Sequence, residues 1–346
     1  MSRNVLRHIA EPDYRYRHAR LIHAMRVGAA ILASILLTTA LGLPYGEWAS
    51  ITVLVVIGGL QHQGNIRRKA FERGLGTLIG AGVGLALILQ QNIFGVWIAT
   101  ELMIATGCGI CAYYAIGKAG YIALLSAITI MIVAGHGDNS MAAGLWRTVD
   151  IVIGIAIALA FSFALPLYAT WSWRYKLADA LRGCAALHTG LSGDVDISSD
   201  EELKALAAQS ATLVELRPLM PWVSKETHIE MAKMEEIQRS LRLCVSTLDL
   251  MAGIRRRRGN EHRMTFDHES LAPVDCQIDL MLLGMAHALK LGEGQGLQQS
   301  ETADPAEVDA PGAPPLDGYA LLTLQFRDEI RHLRQLLCAT ESRWNI

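Results

Sequence analysis

The chain has 346 residues, 51% of them hydrophobic, and 31 Lys/Arg against 33 Asp/Glu, a formal net charge of −2. A balance this near neutral, with a positive mean hydropathy of +0.27, argues against nucleic acid as a partner and points to apolar surroundings for part of the chain. The average hides a division: residues 1–170 carry 12 Lys/Arg and 7 Asp/Glu, whereas residues 171–346 carry 19 and 26. The first half holds nearly all the long apolar runs, and the second reads as a slightly acidic helical domain.

In chain order, residues 1–26 are basic and polar, with six arginines from Arg3 to Arg26. They are too long and too charged for the start of a cleavable signal, and read as a cytoplasmic segment lying near anionic membrane lipid. Apolar runs follow at 27–43, 48–60, 74–89, 93–116, 121–134 and 145–168. The long ones suit the thickness of a bilayer at about 1.5 Å per residue. The second, ending at Gly58-Gly59, is short for a span and reads as a broken helix. Between the runs lie a Pro44-Tyr45-Gly46 turn, a basic stretch Gln61–Glu72, a turn at Gln90–Asn92 and a polar loop Gly135–Ser140. The expected fold is an all-α membrane protein with six transmembrane helices at 27–169 and a cytoplasmic helical domain at 170–346.

Lys and Arg concentrate in the N-terminal segment, in Gln61–Arg73 and at Lys118, and are absent from the three alternate loops. The positive-inside rule then places both termini in the cytoplasm. After Thr170, the residues Trp171, Trp173, Arg174 and Lys176 have the composition of an interfacial anchor. Helices are predicted at 174–191, 200–216, 223–256, 273–292 and 317–341, with a flexible connection at 292–316 rich in Gly, Pro and Ala. Arg255–Arg258 reads either as a solvated helix end or as a contact for anionic lipid. The six cysteines show no metal or disulfide spacing, and Cys108-x-x-Cys111 lies in an apolar run where Cys is simply a small residue. No cofactor and no metal are expected, and no enzyme motif stands out.

Arg73–Gly84 reads RGLGTLIGAGVG and sets Gly76, Gly80 and Gly84 on one helix face, a pattern that lets helices approach closely. Arg147–Gly154 reads RTVDIVIG, again with Arg first and Gly eighth. Ser50-Ile51-Thr52-Val53 precedes the first copy and Ala127-Ile128-Thr129-Ile130 the second. This echo predicts two three-helix repeats of opposite topology, an arrangement that recurs in transporters.

Trp48-Ala49-x-Ile51-Thr52-Val53, then Arg67 and Lys69, then Arg73-x-x-Gly76-Thr77-x-x-Gly80-x-x-x-Gly84 resembles the fusaric acid resistance, or aromatic acid exporter, family. Arg147-x-x-Asp150-x-x-x-Gly154 looks like the matching signature of the second half. The resemblance covers residues 20–170. It implies a bacterial inner-membrane efflux protein for aromatic carboxylates and related organic acids. Many members carry two membrane units, so a chain with one implies a homodimer, and a periplasmic adaptor protein is a further partner the resemblance suggests. Plant aluminium-activated malate channels are similar in layout, which keeps a passive organic-anion channel in play. A membrane-anchored scaffold or sensor acting through residues 170–346 is the third reading.

The substrate-path candidates are Arg73, Arg147, Thr52, Thr129, His62 and His136. An arginine pairs bidentately with a carboxylate, although Arg73 could instead snorkel to head groups and Arg147 could bridge Asp150 one turn on. The threonines could line a path or bond back to their own helices. The two histidines could gate by pH or be plain loop residues. Glu101, about nine residues into the fourth run, is expected to face the bundle interior and, with Asp150, to carry protons. Gly76, Gly80, Gly84 and Gly154 are assigned to helix packing.

Overall fold

The computed structural model describes the chain except residues 1–11, 60–62, 118, 136–139, 165, 193–197, 259–267, 293–317 and 345–346. Its described residues are helical, with turns between, and contain no strand. They divide into two compact units, one from Arg17 to Leu167 and one from Tyr168 onward that also takes in the residues up to Tyr16.

After α1 (Pro12–Arg17), the first unit is built of α2 (Ala19–Ala40), α3 (Glu47–Ile57), α4 (Gln63–Phe94), α5 (Trp97–Ala115), α6 (Gly120–Ala134) and α7 (Met141–Ala164). Of these, α4 from Asn65, together with α2, α5 and α7, is long and apolar enough to cross a membrane, whereas α3 and α6 are shorter apolar helices. Many large apolar side chains on them point outward, among them Leu36, Ile79, Leu102 and Val152, as lipid-facing helices require. Apart from α5, the helices of this unit start earlier than the apolar runs suggest. The basic residues Arg67, Arg68 and Lys69 lie inside α4 rather than in a loop, and so does Gln90–Asn92. Hydropathy marks where a helix meets lipid, not where its hydrogen bonding begins. Gly95, with φ of +66°, makes the sharp turn that separates α4 from α5.

Two helix pairs form the centre of this unit. α4 packs along α6, and α3 packs along α7. A Cβ at Gly80 would lie 2.5 Å from the Ser126 carbonyl oxygen and 2.6 Å from Thr129 Cβ. A Cβ at Gly154 would overlap the Ala49 carbonyl oxygen and lie 2.8 Å from Thr52 Cβ. Gly76 and Gly84 sit equally tightly against Leu125 and Val133. These contacts rise together along both partners, so α4 and α6 run parallel.

The second unit contains α8 (Ala169–Ser192), α9 (Ser199–Leu216), α10 (Met220–Thr227), α11 (Met231–Arg258), α12 (His268–Leu291) and α13 (Gly318–Cys338) around one apolar core. His228, in the left-handed region at φ 56°, divides α10 from α11, where periodicity alone predicts one helix. Trp173 and Arg174 are not an interfacial anchor. Trp173 is in the core, and Arg174 is buried and donates to the carbonyls of Leu289 and Trp344. Glu226 caps α8, accepting the backbone N–H groups of Ala169 and Thr170. In the arginine run, Arg255 donates to the Gly190 carbonyl and Arg256 lies 3.6 Å from Glu202. The predicted flexible connection falls outside the described residues except Gly292. Burial pushes the Cys184 thiol up to about 12, which fits a packing residue rather than a reactive one.

Candidate functional site

The site forms where the start of α3 meets the end of α6 and the start of α7. Arg147 comes from the second turn of α7. Its Nη1 donates to the Ile132 carbonyl at 2.8 Å, and its guanidinium carbon lies 4.8 Å from the centre of the Tyr45 ring. It is half-buried and lines a cavity of about 680 Å³. Tyr45, Glu47 and Trp48 form one side of that cavity, and Ile128, Met131 and Ile132 supply apolar wall. The α6 backbone holds one edge of the guanidinium and an aromatic face supports it. A cation fixed in an apolar and aromatic cavity matches a flat acid with one carboxylate. Glu47 also borders a second cavity, of about 560 Å³, with Thr38, Thr39 and Ser50.

Asp150 is fully buried on α7, and neither carboxylate oxygen has a hydrogen-bond partner. The expected bridge to Arg147 is not made, because Ile132 and Tyr45 hold the guanidinium instead. Gly154, one turn after Asp150, packs on Ala49, two residues after Glu47.

The other sequence candidates fall apart into different environments. Thr52 and Thr129 are both fully buried, not cavity-lining, and each packs on a glycine of the facing helix. Thr129 bonds back to the Leu125 carbonyl at 2.8 Å, whereas the Thr52 hydroxyl has no partner. Arg73 does not snorkel. It is the eleventh residue of α4, 1% exposed, and its Nε and Nη1 have no partner. Glu101 does not face the bundle interior. The helix begins at Trp97 rather than near Ile93, so Glu101 lies in its second turn, on the exposed side. His62 and His136 lie outside the described residues.

Tyr45 and Glu47 are absent from the sequence candidates, and Trp48 enters there only as a family match. Their signal is present in the sequence, as an aromatic-acidic-aromatic cluster in Tyr45-Gly46-Glu47-Trp48. It is disguised as an ordinary turn between two apolar runs.

Among the described residues, four apolar helices of spanning length, a cation held at an aromatic cavity lined mainly from α3 and α6, and a separate helical unit define a multi-helix membrane protein. Residues 20–342 match the Fusaric acid resistance protein family, and the chain belongs to that family. It is similar to the inner membrane protein YeeA of Escherichia coli (strain K12), 26% identical over 340 residues that span 93% of this chain and 95% of that protein. It is also similar to the p-hydroxybenzoic acid efflux pump subunit AaeB of Edwardsiella ictaluri (strain 93-146), 29% identical over 159 residues. That match covers 40% of this chain and 23% of the pump subunit. The corresponding subunit of Edwardsiella tarda (strain FL6-60) is likewise 29% identical over 160 residues, 24% of its length.

Proposed function

We propose that the protein is an efflux transporter for aromatic carboxylates or related organic anions. The observation that carries this reading is Arg147, fixed over Tyr45 at the edge of a cavity that Trp48 also lines. The family membership and the names of the pump-subunit relatives support the same direction. In this reading Arg147 holds the carboxylate and the aromatic residues take the ring. Asp150 carries a coupling proton, because a buried carboxylate without a partner is costly until it binds one. Glu47, at the cavity, is its route to water.

The proposed layout is six spans in two inverted three-helix repeats at 27–169, both termini in the cytoplasm, and a cytoplasmic domain at 170–346. Supporting it, Gly80 meets Thr129 and Ser126 just as Gly154 meets Thr52 and Ala49. Each half supplies the glycine for one contact and the threonine for the other. A homodimer in the bacterial inner membrane, with a periplasmic adaptor as further partner, completes the proposal.

Reconstitution of the full chain into proteoliposomes, with labelled 4-hydroxybenzoate, tests it. Accumulation against a concentration gradient, driven by a pH gradient, is expected. Movement only down the gradient converts the reading to a passive anion channel. No movement at all leaves the scaffold or sensor reading, with the work done by the second unit.

A further inference from the structure

Two clusters in the membrane unit are made of matching residues. In the first, Arg147 lies on the Tyr45 ring and donates to the Ile132 carbonyl near the end of α6. In the second, Arg73 lies one turn before Gly76, which packs on Ile122 and Leu125 of α6, and the adjacent Tyr121 has its hydroxyl 3.5 Å from the Val55 carbonyl near the end of α3. Arg73 corresponds to Arg147, Tyr121 to Tyr45 and Val55 to Ile132, at offsets of 74, 76 and 77 residues. In each cluster one half of the unit gives the arginine and the carbonyl, and the other half gives the tyrosine. Along α6, Tyr121 and Ile132 are about 16 Å apart at 1.5 Å per residue, so the clusters lie at opposite ends of the unit.

They differ in who holds the carbonyl. At the first cluster the arginine holds it and borders an open cavity. At the second the tyrosine hydroxyl stands over it at 3.5 Å, and Arg73 is buried with Nε and Nη1 unpartnered. Glu72, next to Arg73 in sequence, is engaged by Arg68 at 2.7 Å, and Lys69 sits 5.8 Å from the Tyr121 ring centre. A buried guanidinium with unsatisfied N–H groups is costly, and a carboxylate satisfies two of them at once.

We infer that Arg73 is a second carboxylate-binding station, closed in this conformation by the contact of Tyr121 with the Val55 carbonyl. This rests on the exporter reading above and adds to it where the substrate is loaded. When the Arg73 station opens, Tyr121 releases the Val55 carbonyl and Arg73 takes it, as Arg147 takes that of Ile132 here. The first cluster closes in the same exchange. Two states of equal construction follow from the matched halves, and the substrate shifts the balance between them.

The test uses full-length protein in vesicles of defined orientation, with 4-hydroxybenzoate added from one face at a time and initial rates measured. Arg73→Gln is expected to raise the half-saturating concentration at least tenfold at the Arg73 face alone. Arg147→Gln is expected to do so at the other face alone. Tyr121→Phe removes the closing hydroxyl and keeps Arg73, so it is expected to lower half-saturation severalfold at the Arg73 face. It also decides the question where Arg73→Gln does not assemble. If Arg73→Gln saturates like the parent from both faces, or Tyr121→Phe changes nothing, the second station is overturned while parental export stands. Absence of transport by the parent removes the exporter reading and this station with it.

Discussion

Arg147 and Asp150 stand one helical turn apart on α7 and do not pair. The guanidinium turns to the Ile132 carbonyl and the Tyr45 ring, and the carboxylate is left buried with both oxygens unpartnered. A fixed backbone carbonyl and an aromatic face hold the guanidinium away from the carboxylate. In the proposed reading, the separation leaves one charge to an anion and the other to a proton.

In the proposed reading, Arg147→Gln removes a charge-assisted bond to substrate presented at the Arg147 face. At about 1.5–3 kcal/mol, that predicts a tenfold to hundredfold loss of 4-hydroxybenzoate transport efficiency. Arg147→Lys retains the charge without the planar fork and should lie between. Initial rates over a concentration series check both.

Asp150→Asn keeps shape and removes the titrating group. Accumulation driven by a pH gradient should be lost while exchange of labelled for unlabelled substrate persists. Equal loss of both would show that Asp150 is structural.

Gly154→Ala and Gly80→Ala each force a Cβ against backbone and threonine. Each should destabilise the membrane unit by about 1–3 kcal/mol, the usual cost of overpacking. Gly82→Ala meets nothing within 4 Å and should be tolerated. Thermal denaturation of the detergent-solubilised chain separates the three.

In the second unit, fully buried His188 lies 2.8 Å from Asp279 and 3.2 Å from Asp275. Burial opposes its charge, but the two carboxylates outweigh that and hold its pKa above the ordinary histidine value. A raised pKa stabilises fully below the unfolded value of about 6.5, and that contribution is lost as pH rises through the folded one. The unfolding temperature of this unit should therefore fall as pH increases above about 6.5. His188→Gln should flatten the dependence, as followed by circular dichroism of the full chain.

Much of this was legible in the residues. The apolar runs, the acidic second half and the glycine face of α4 all follow from local composition and spacing, because lipid and helix geometry act residue by residue. Helix starts were less legible, since basic residues such as Arg67 and Arg68 are good helix formers outside the hydrocarbon. Glu101 shows a second limit. Depth and orientation depend on where the helix begins and which neighbours cover it, and a four-residue shift at Trp97 turned an interior candidate into an exposed residue.

By itself the sequence determined that this chain holds apolar helices beside a separate helical domain, with a family signature on the apolar part. Packing between helices set the surroundings of each charge. Arg73 and Arg147 have the same place in their motifs, yet one is buried with Nε and Nη1 unpartnered and the other lines a cavity. Tyr45, Glu47 and Ile132 gain their roles from packing between helices distant in sequence. An electrostatic environment is a sum over neighbours in space, and no spacing along one helix contains it.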